Sequence, residues 1–232
     1  KEQKAKFLTP LGSGQAIACG AVTDPTGLTN YPEWGLTVKE DGDYLVINGS
    51  KMLVTNADVS DIKVIFGKPD SNHFDKIYIV EKGTEGVETG YQEKKLVPGT
   101  ADWGSINLKN VRIPKFNQVV DNGMGQTWLG PSFLNISLSA LVLGEMAFNM
   151  ARTFASQRTK YGHPLTDLQA VSHRLVNMAV NNETSRNLIY AGARLWDEGR
   201  YEECYRIGCM SKIYVTEAAN KNLHDAAIMH GG

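Results

Sequence analysis

Two stretches in the first half of the chain end in residues that suit a flat ligand with a polar edge. Residues 52–54 are apolar and lead into Thr55 and Asn56, and an earlier apolar run ends in Val22 and Thr23. A flat ring needs apolar walls for its faces and a few hydrogen-bonding groups around its rim. Val22, Thr23 and Thr55 offer that chemistry, although threonine is also common in ordinary strands with its hydroxyl facing solvent.

A cation lies at the expected end of a long helix in the second half of the chain. Arg158 is followed closely by Lys160, Tyr161 and Gly162. A guanidinium there can clamp a pyrophosphate through two parallel hydrogen bonds, which lysine does poorly. The alternative is a cation that only complements the negative end of the helix dipole.

The other residue types that commonly do chemistry form no recognisable set in the sequence. The histidines match no metal-ligand spacing, and no serine–histidine–aspartate or cysteine–histidine arrangement has a recognisable context. The cysteines also lack such spacing, so we expect no metal site and reduced thiols in a cytosolic or similar compartment. These residues are His73, His163, His173, His224 and His230, with Cys19, Cys204 and Cys209.

Composition limits the classes of protein to which the chain can belong. It has 232 residues, 42% hydrophobic and 21% charged, which is enough for a full core and two subdomains. Its net charge of -1 leaves no electrostatic footprint for nucleic acid or an anionic membrane surface. No apolar run approaches the roughly 20 residues of a membrane span, and no signal peptide opens the sequence. Both ends look abrupt, and we expect the natural polypeptide to continue in both directions.

Residue patterns divide the chain into a short helix and loop at 1–15, a β-domain at 16–125 and a helical bundle at 126–232. Short apolar runs separated by glycine-containing turns predict the strands of the β-domain. Several short strands at this spacing favour an antiparallel sandwich or barrel. Asn48-Gly49 is a strong tight-turn signal, so we expect a hairpin there.

In the helical part, Leu, Met, Ala and Phe recur at spacings of three and four. We expect helices over 127–157, 167–196 and 202–229, with Thr166 or Asp167 capping the second. Short connections make them an antiparallel bundle. The predicted fold class is therefore α+β, with the strands and helices in separate blocks.

Five stretches in sequence order together resemble the acyl-CoA dehydrogenase family of flavoproteins. Residues 21–30, AVTDPTGLTN, are similar to its T-E-P-G-A-G-S-D loop, and residues 48–56, NGSKMLVTN, to its N-G-x-K-M-W-I-T-N strand. Residues 157–162, QRTKYG, resemble its E-R-x-x-F-G turn, and residues 165–170, LTDLQA, the L-x-x-x-Q helix start that follows. Residues 230–232, HGG, are similar to the start of its G-G-x-G segment.

The resemblance implies FAD as the cofactor and assigns its flavin wall to the two strand ends. It implies that Val22, Thr23, Leu53 and Thr55 line the flavin, with Leu53 in place of the family's tryptophan. It also implies that Thr29 sits where the family's serine touches FAD phosphate or substrate.

The resemblance assigns a second set of residues to the FAD of a neighbouring subunit. It implies that Arg158 and Tyr161 hold that cofactor, and that Gly231 and Gly232 let the backbone approach its ADP half. The alternative for the two glycines is a simple helix C-cap.

The catalytic base is the main departure from the family. Desaturation next to a thioester needs a carboxylate to take the α-proton while flavin N5 accepts a hydride from the β-carbon. In most family members that glutamate lies beyond the position of Gly232, and in others it lies early in the first long helix. Here residues 133–139 contain no carboxylate. Glu145 lies roughly two turns further on and is expected to face a neighbouring helix or solvent, so no catalytic residue is named.

The predicted function is FAD-dependent α,β-dehydrogenation of an acyl-CoA thioester, with electrons passed to electron-transfer flavoprotein. The expected location is the cytoplasm, or the mitochondrial matrix in a eukaryote. One alternative is a catalytically silent subunit that binds flavin or acyl-CoA, and another is a related flavin oxidase or monooxygenase. The acidic residue of the family loop is shortened to Asp24, which with the missing base favours the silent subunit modestly.

The helices also carry more apolar residues than a single three-helix core needs. They predict a homo-oligomer, either a homotetramer or a dimer, whose interface is built by the helical half. The alternative is that the second apolar face packs on further helices of the same chain. The surplus residues are Phe148, Met150, Leu188, Ile189, Tyr190 and Trp196, and a polar cluster expected to form a solvated or inter-subunit face is Asn181, Asn182, Glu183 and Arg186.

Overall fold

The computed structural model describes residues 1–27, 33–67, 76–90, 102–120 and 129–231. Thr29 and Gly232, two of the predicted ligand-contacting residues, lie outside the described residues. The chain forms two compact units, residues 1–125 and 126–232, which are described in turn.

The described residues of the first unit form two four-stranded sheets. The first sheet has the order β1 (Ala18–Ala21), β4 (Ile62–Phe66), β5 (Lys76–Glu81) and β8 (Gln118–Val120). The second sheet has the order β2 (Thr37–Asp41), β3 (Tyr44–Thr55), β7 (Trp103–Pro114) and β6 (Val87–Thr89). The pairs are antiparallel except β1 and β4, which run parallel.

The core of this unit contains the inward residues of both sheets. Cys19, Ile65 and Val80 of the first sheet share one buried cluster with Ile47 and Ile106 of the second. Alternation of inward and outward residues along each strand produces this arrangement. The predicted sandwich is therefore confirmed, without a closed barrel among the described strands.

The predicted hairpin at Asn48-Gly49 is wrong, because β3 continues through both residues without a turn. Asn48 instead binds the backbone of a bulge in the neighbouring strand, and Gly49 allows the backbone at Leu36 to pass close by. Asn48 Oδ1 accepts the backbone N–H of Asn110 at 2.7 Å, where β7 bulges with φ of 52°. Gly49 has φ of 141°, and a Cβ there would lie 2.8 Å from the Cα of Leu36. Both residues therefore have special backbone tasks, but within a strand.

The N-terminal segment packs on the outer face of the first sheet. It consists of a π-helical turn, Lys4–Leu8, followed by the short helix α1 (Thr9–Gly12). Phe7 is buried there in a cluster with Ile62 and Ile79. The segment thus covers apolar sheet residues that face away from the central core.

In the second unit, residues 129–231 form three long helices and one small hairpin. The helices are α2 (Leu129–Gln157), α3 (Gln169–Asp197) and α4 (Tyr201–His230). Strands β9 (Thr159–Lys160) and β10 (His163–Pro164) form the hairpin between α2 and α3. Helix α3 packs on both α2 and α4, which agrees with the predicted bundle.

The start of α3 differs from the prediction. Thr166 and Asp167 form part of a 3-10 turn, and the residue before the helix is Leu168, which makes no side-chain cap hydrogen bond. The reason is the preceding hairpin, because the Leu165 N–H donates to the Arg158 carbonyl at 2.9 Å. That bond keeps the two polar residues in the turn, ahead of the helix.

A polar layer crosses the helical core, and it corrects the prediction for Asn182. This residue is buried on the face of α3 that also carries Met178, rather than on a solvated or inter-subunit face. Its Oδ1 accepts an N–H of Asn222 at 2.8 Å, and Asn222 also donates to the Met178 carbonyl. Asn181 donates to Asn222 Oδ1 at 3.0 Å, so the amide groups satisfy one another.

The apolar surface of the helices is partly as predicted. Met150 and Tyr190 are 62% and 65% exposed, but Ile189 is buried in a cluster with Leu141 and Val215. Within the described residues, one helix, Leu129–Gln157, is long and apolar enough to cross a membrane by length and composition alone. The expectation that no segment approaches this length is corrected, although the core helix of a soluble protein passes the same test.

Candidate functional site

The two predicted strand ends lie side by side in the β unit. The Met52 N–H donates to the carbonyl of Thr23 at 2.9 Å. This bond joins the segment after β1 to the second half of β3, although β1 and β3 belong to different sheets. Val22 and Thr23 are half-buried beside it. The arrangement brings the four described residues predicted for the flavin wall into one region.

A β-bulge exposes the apolar member of this set. Lys51 pairs with Ile106 and Val54 with Gly104, so that Met52 and Leu53 stand opposite a single residue of β7. Leu53 has φ of 55° and is 44% exposed, and Thr55 is exposed beyond it. Positive φ is uncommon for a residue with a branched side chain and concentrates at functional sites. The bulge therefore holds an apolar side chain outward at a cost in backbone energy.

A buried ionic cluster lies directly beneath the strand ends. Lys51 is fully buried, and its Nζ donates to the Val22 carbonyl at 2.9 Å. The same Nζ lies 3.6 Å from the ring centroid of Trp34 and 3.8 Å from Asp24 Oδ2. Burial lowers the pKa of Lys51 to about 8, while the Asp24 carboxylate opposes that shift. One cation thus contacts two segments of the chain, residues 22–24 and the segment that contains Trp34.

The other carboxylate oxygen of Asp24 organises the turn that follows. Asp24 Oδ1 accepts the Thr26 hydroxyl at 3.1 Å and the backbone N–H of Gly35 at 3.3 Å. Asp24 Oδ2 is buried and makes no hydrogen bond within the described residues, so Lys51 is its charge partner there. The shorter acidic residue of this loop therefore still fixes a turn.

Sequence reasoning missed Lys51 and Trp34 as parts of the site. A signal for Lys51 was present, because it falls on the inward face of β3 with Leu45 and Ile47. A lysine at an inward position of a strand is almost never buried without a partner. Asp24 and Trp34 lie in a segment that precedes β3, so only the fold shows that both converge on the Lys51 amine.

The predicted pyrophosphate clamp lies in the helical unit, at the end of α2. Arg158 and Tyr161 are exposed on the β9–β10 hairpin, with Tyr161 79% exposed. Tyr161 and Gly162 have φ of 55° and 84°, the signs that a two-residue I′ turn requires. The Arg158 guanidinium forms no ion pair with any other described residue. The turn thus presents a free cation and an aromatic ring to solvent.

The structure brings the end of α4 to this same end of the bundle. His230 stacks on Phe154 with ring centroids 4.5 Å apart, and Phe154 accepts the backbone N–H of Arg158 through its carbonyl. Gly231 follows His230 with φ of 79°, a conformation that suits glycine. Arg158 and Gly231 therefore lie at one end of the bundle, as a shared ligand would require.

Glu145, the carboxylate considered as a base in the sequence, is not free in the described structure. Glu145 is ion-paired with Arg186, which also pairs with Glu183, so it is not a free carboxylate. No group of three or more potential metal ligands occurs among the described residues. The three cysteines are free thiols, two of them buried.

Comparison with known proteins supports the architecture and the motifs together. The family model for the acyl-CoA dehydrogenase C-terminal domain matches residues 126–232. An acyl-CoA dehydrogenase of Bacillus subtilis (strain 168) is 32% identical over 240 residues, covering 100% of this chain and 62% of that protein. The helical unit is an acyl-CoA dehydrogenase C-terminal domain, and the chain is similar to acyl-CoA dehydrogenases along its whole length.

Two solved structures show the same relation. Butyryl-CoA dehydrogenase from Megasphaera elsdenii is 26% identical with a TM-score of 0.79, covering 99% of this chain and 67% of that one. A chain from a structure of the electron-transferring flavoprotein of Acidaminococcus fermentans is 28% identical with a TM-score of 0.89, covering 100% of this chain and 62% of that one. The chain spans about six-tenths of the length of the curated acyl-CoA dehydrogenases that it matches.

Acyl-CoA dehydrogenases are FAD-dependent flavoproteins, and the described residues fit such a group. The exposed Leu53 offers an apolar contact for a ring face, and Thr23 and Thr55 offer hydroxyls for its rim. The bulge that exposes Leu53 has a backbone cost that a bound ring would offset. In the helical unit, the free guanidinium of Arg158 suits a diphosphate.

Proposed function

We propose that this protein is an FAD-binding acyl-CoA dehydrogenase that desaturates an acyl-CoA thioester between its α- and β-carbons. The observation that carries the proposal is the Met52–Thr23 hydrogen bond, which joins the two strand ends predicted to line the flavin. Thr29, outside the described residues, is proposed to contact FAD phosphate or substrate. The named relatives include a butyryl-CoA dehydrogenase, which supports an acyl-CoA as the substrate class.

The residues of the β unit are proposed to bind and orient the flavin. When bound, FAD would accept the hydride that leaves the substrate's β-carbon. Val22 and Leu53 exclude water from a ring face, while Thr23 and Thr55 donate hydrogen bonds to its polar rim. These contacts fix the ring laterally, which matters because a displacement of about 1 Å costs roughly a hundredfold in rate.

The end of the bundle is proposed to serve the FAD of a neighbouring subunit. Arg158 binds the diphosphate, and Tyr161 packs beside it. Gly231 and Gly232 let the backbone approach the adenosine half, because neither carries a side chain. The free guanidinium at an exposed turn supports this role, since structural arginines in this unit, such as Arg174 and Arg186, are ion-paired.

Two further parts of the proposal concern the rest of the protein. The α-proton acceptor is proposed to lie beyond Gly232, because the described start of α2 has no carboxylate and Glu145 is paired. Electrons are proposed to pass to an electron-transfer flavoprotein. The match to a chain from an electron-transferring flavoprotein structure supports this partner.

A homo-oligomer, a homotetramer or dimer, follows from a cofactor site shared between subunits. The exposed apolar residues of α2 support it, since a soluble helix buries its second apolar face. They include Ile136, Leu143, Met146 and Met150. Light scattering on the full-length protein tests it: a monomer at micromolar concentration that retains FAD would disprove the shared site.

The decisive experiment measures flavin content and turnover of the full-length protein. We expect a yellow preparation containing FAD that reduces an artificial electron acceptor when given an acyl-CoA. A preparation that stays colourless after incubation with FAD would refute the proposal. A rapid reaction of the reduced flavin with oxygen would instead indicate an oxidase.

A non-catalytic subunit is the second candidate, and the ion-paired Glu145 favours it. Such a protein would bind FAD or acyl-CoA without turnover. The same preparation separates the two functions, because FAD retention without acceptor reduction across acyl-CoAs of different lengths fits only the silent subunit.

A further inference from the structure

We propose that Lys51 is the positioning residue of the flavin-facing strand ends. It contacts no ligand itself, because it is fully buried. It acts by fixing the backbone that carries Val22 and Thr23. The identity of the ligand rests on the function proposed above, whereas the positioning role rests on the contacts of Lys51 alone.

Two successive groups of β3 hold two successive carbonyls of the segment after β1. The Lys51 ammonium donates to the Val22 carbonyl, and the Met52 N–H donates to the Thr23 carbonyl, both at 2.9 Å. Two hydrogen bonds to neighbouring carbonyls fix the orientation of both peptide groups. The direction of the Thr23 side chain is therefore determined where a ligand would meet it.

The bulge explains why a side chain is needed for this task. Strand β3 pairs with β7 on one side, and its ladder is interrupted directly after Lys51. The segment after β1 leaves its own sheet at Ala21, so it has no ladder of its own at Val22. A buried ammonium supplies the hydrogen bond that regular pairing cannot.

Trp34 and Asp24 hold the ammonium in place from two sides. The Trp34 ring lies 3.6 Å from the Lys51 Nζ, within the range of a cation–π interaction. Asp24 supplies the opposite charge at 3.8 Å. The amine therefore has a defined position, so its bond to Val22 transmits order from the core to the strand end.

The test compares three variants of the full-length protein. Lys51→Met keeps the length of the side chain and removes the donor. Lys51→Met combined with Asp24→Asn also removes the carboxylate that would otherwise be left buried without its cation. Lys63→Met is the matched control, because Lys63 is also buried in the same unit but donates to Ser60.

The readouts are residue-resolved amide exchange, FAD affinity and unfolding midpoint. We expect Lys51→Met, or the double variant if the single one does not fold, to exchange the Met52 amide at least about tenfold faster. The Lys82 amide, which donates to Asp61, should keep its protection. The Kd for FAD should rise at least about tenfold in both Lys51 variants. It should be unchanged in Lys63→Met.

Unchanged protection of the Met52 amide in both Lys51 variants would overturn the proposal. An equal loss of FAD affinity in Lys63→Met would also overturn it, since the effect would then be general destabilisation. A wild-type protein that retains no FAD would reject the proposed function instead. In that case the exchange of the Met52 amide still decides whether Lys51 positions the strand end.

Discussion

A substitution at Gly49 tests whether β3 runs through this residue as a continuous strand that packs against Leu36. A Cβ at this position would meet the Leu36 Cα at 2.8 Å, its Cδ1 at 3.0 Å and its backbone N at 3.3 Å. The nearest atom is backbone, so a rotamer change cannot relieve the contact. Gly49 also has φ of 141°, which side-chain-bearing residues rarely adopt.

These two effects set the expected cost of Gly49→Ala. Backbone strain of this kind costs about 1–3 kcal/mol and overpacking a further 1–3 kcal/mol, so we expect a loss of about 2–6 kcal/mol. Gly42→Ala is the matched control, because Gly42 has φ of 58° and nothing lies within 4 Å of its Cβ position. Its expected cost is only about 1–2 kcal/mol, from left-handed backbone alone.

Urea unfolding followed by tryptophan fluorescence measures both losses. Gly49→Ala should lose more free energy of unfolding than Gly42→Ala only if the Leu36 backbone passes beside a continuous strand. Equal losses in the two variants would refute this reasoning, because an ordinary hairpin turn at Asn48-Gly49 makes the same demand on its glycine as the turn at Gly42.

Three further predictions concern the cation at the hairpin, the buried lysine and the polar layer. Arg158→Ala should weaken FAD binding about tenfold or more and FMN binding much less, whereas Arg152→Ala on the same helix should change neither; equal losses of FAD and FMN would assign Arg158 a structural role. Because burial lowers the pKa of Lys51 to about 8 from an unfolded value of 10.5, the unfolded chain binds more protons between these values. Stability should therefore rise with pH across that window by up to about 3 kcal/mol, and urea unfolding against pH should show no such rise in Lys51→Met. Asn222→Leu should lower the free energy of unfolding by about 2–4 kcal/mol in thermal or urea unfolding, since it strands two asparagine amides, while Asn220→Leu, which is exposed, should lie near zero.

The fold class was predictable because its signals are local. Apolar residues at spacings of three and four predicted all three helices, with α2 observed at Leu129–Gln157 and α4 at Tyr201–His230. Short strands between glycine-containing turns predicted the sandwich. These periodicities depend on which face each element buries, and a sequence displays that directly.

The errors arose where a residue's task depends on a distant part of the chain. Asn48 and Gly49 have turn chemistry, but the partners that use it are Asn110 and Leu36. Asn182 is polar, and its cluster was predicted to form a solvated or inter-subunit face, yet its partner on a neighbouring helix satisfies it in the core. Sequence patterns cannot show which backbone or amide group lies opposite a given residue.

The candidate site was predictable in part, through the family motifs. Those motifs identified the strand ends and the Arg158 turn, and the geometry places Thr23 beside Met52. They gave no account of what Lys51 does within the strand motif. Its role is spatial, because its partners lie in residues 22–24 and in the segment containing Trp34.

The bulge at Met52 and Leu53 also changes which residues count as inward along β3. Before it, the odd-numbered positions Leu45, Ile47 and Lys51 point into the core, and after it the even-numbered Val54 does. The extra residue thus works as a frame shift in side-chain parity, with Thr55 outward because of it. Substitutions that keep the bulge leave that frame intact, whereas regular pairing of the same residues without a bulge would turn Thr55 inward and Val54 outward. The bulge itself, more than the identity of its side chains, determines on which face of β3 the Thr55 hydroxyl, proposed to bind the flavin, lies.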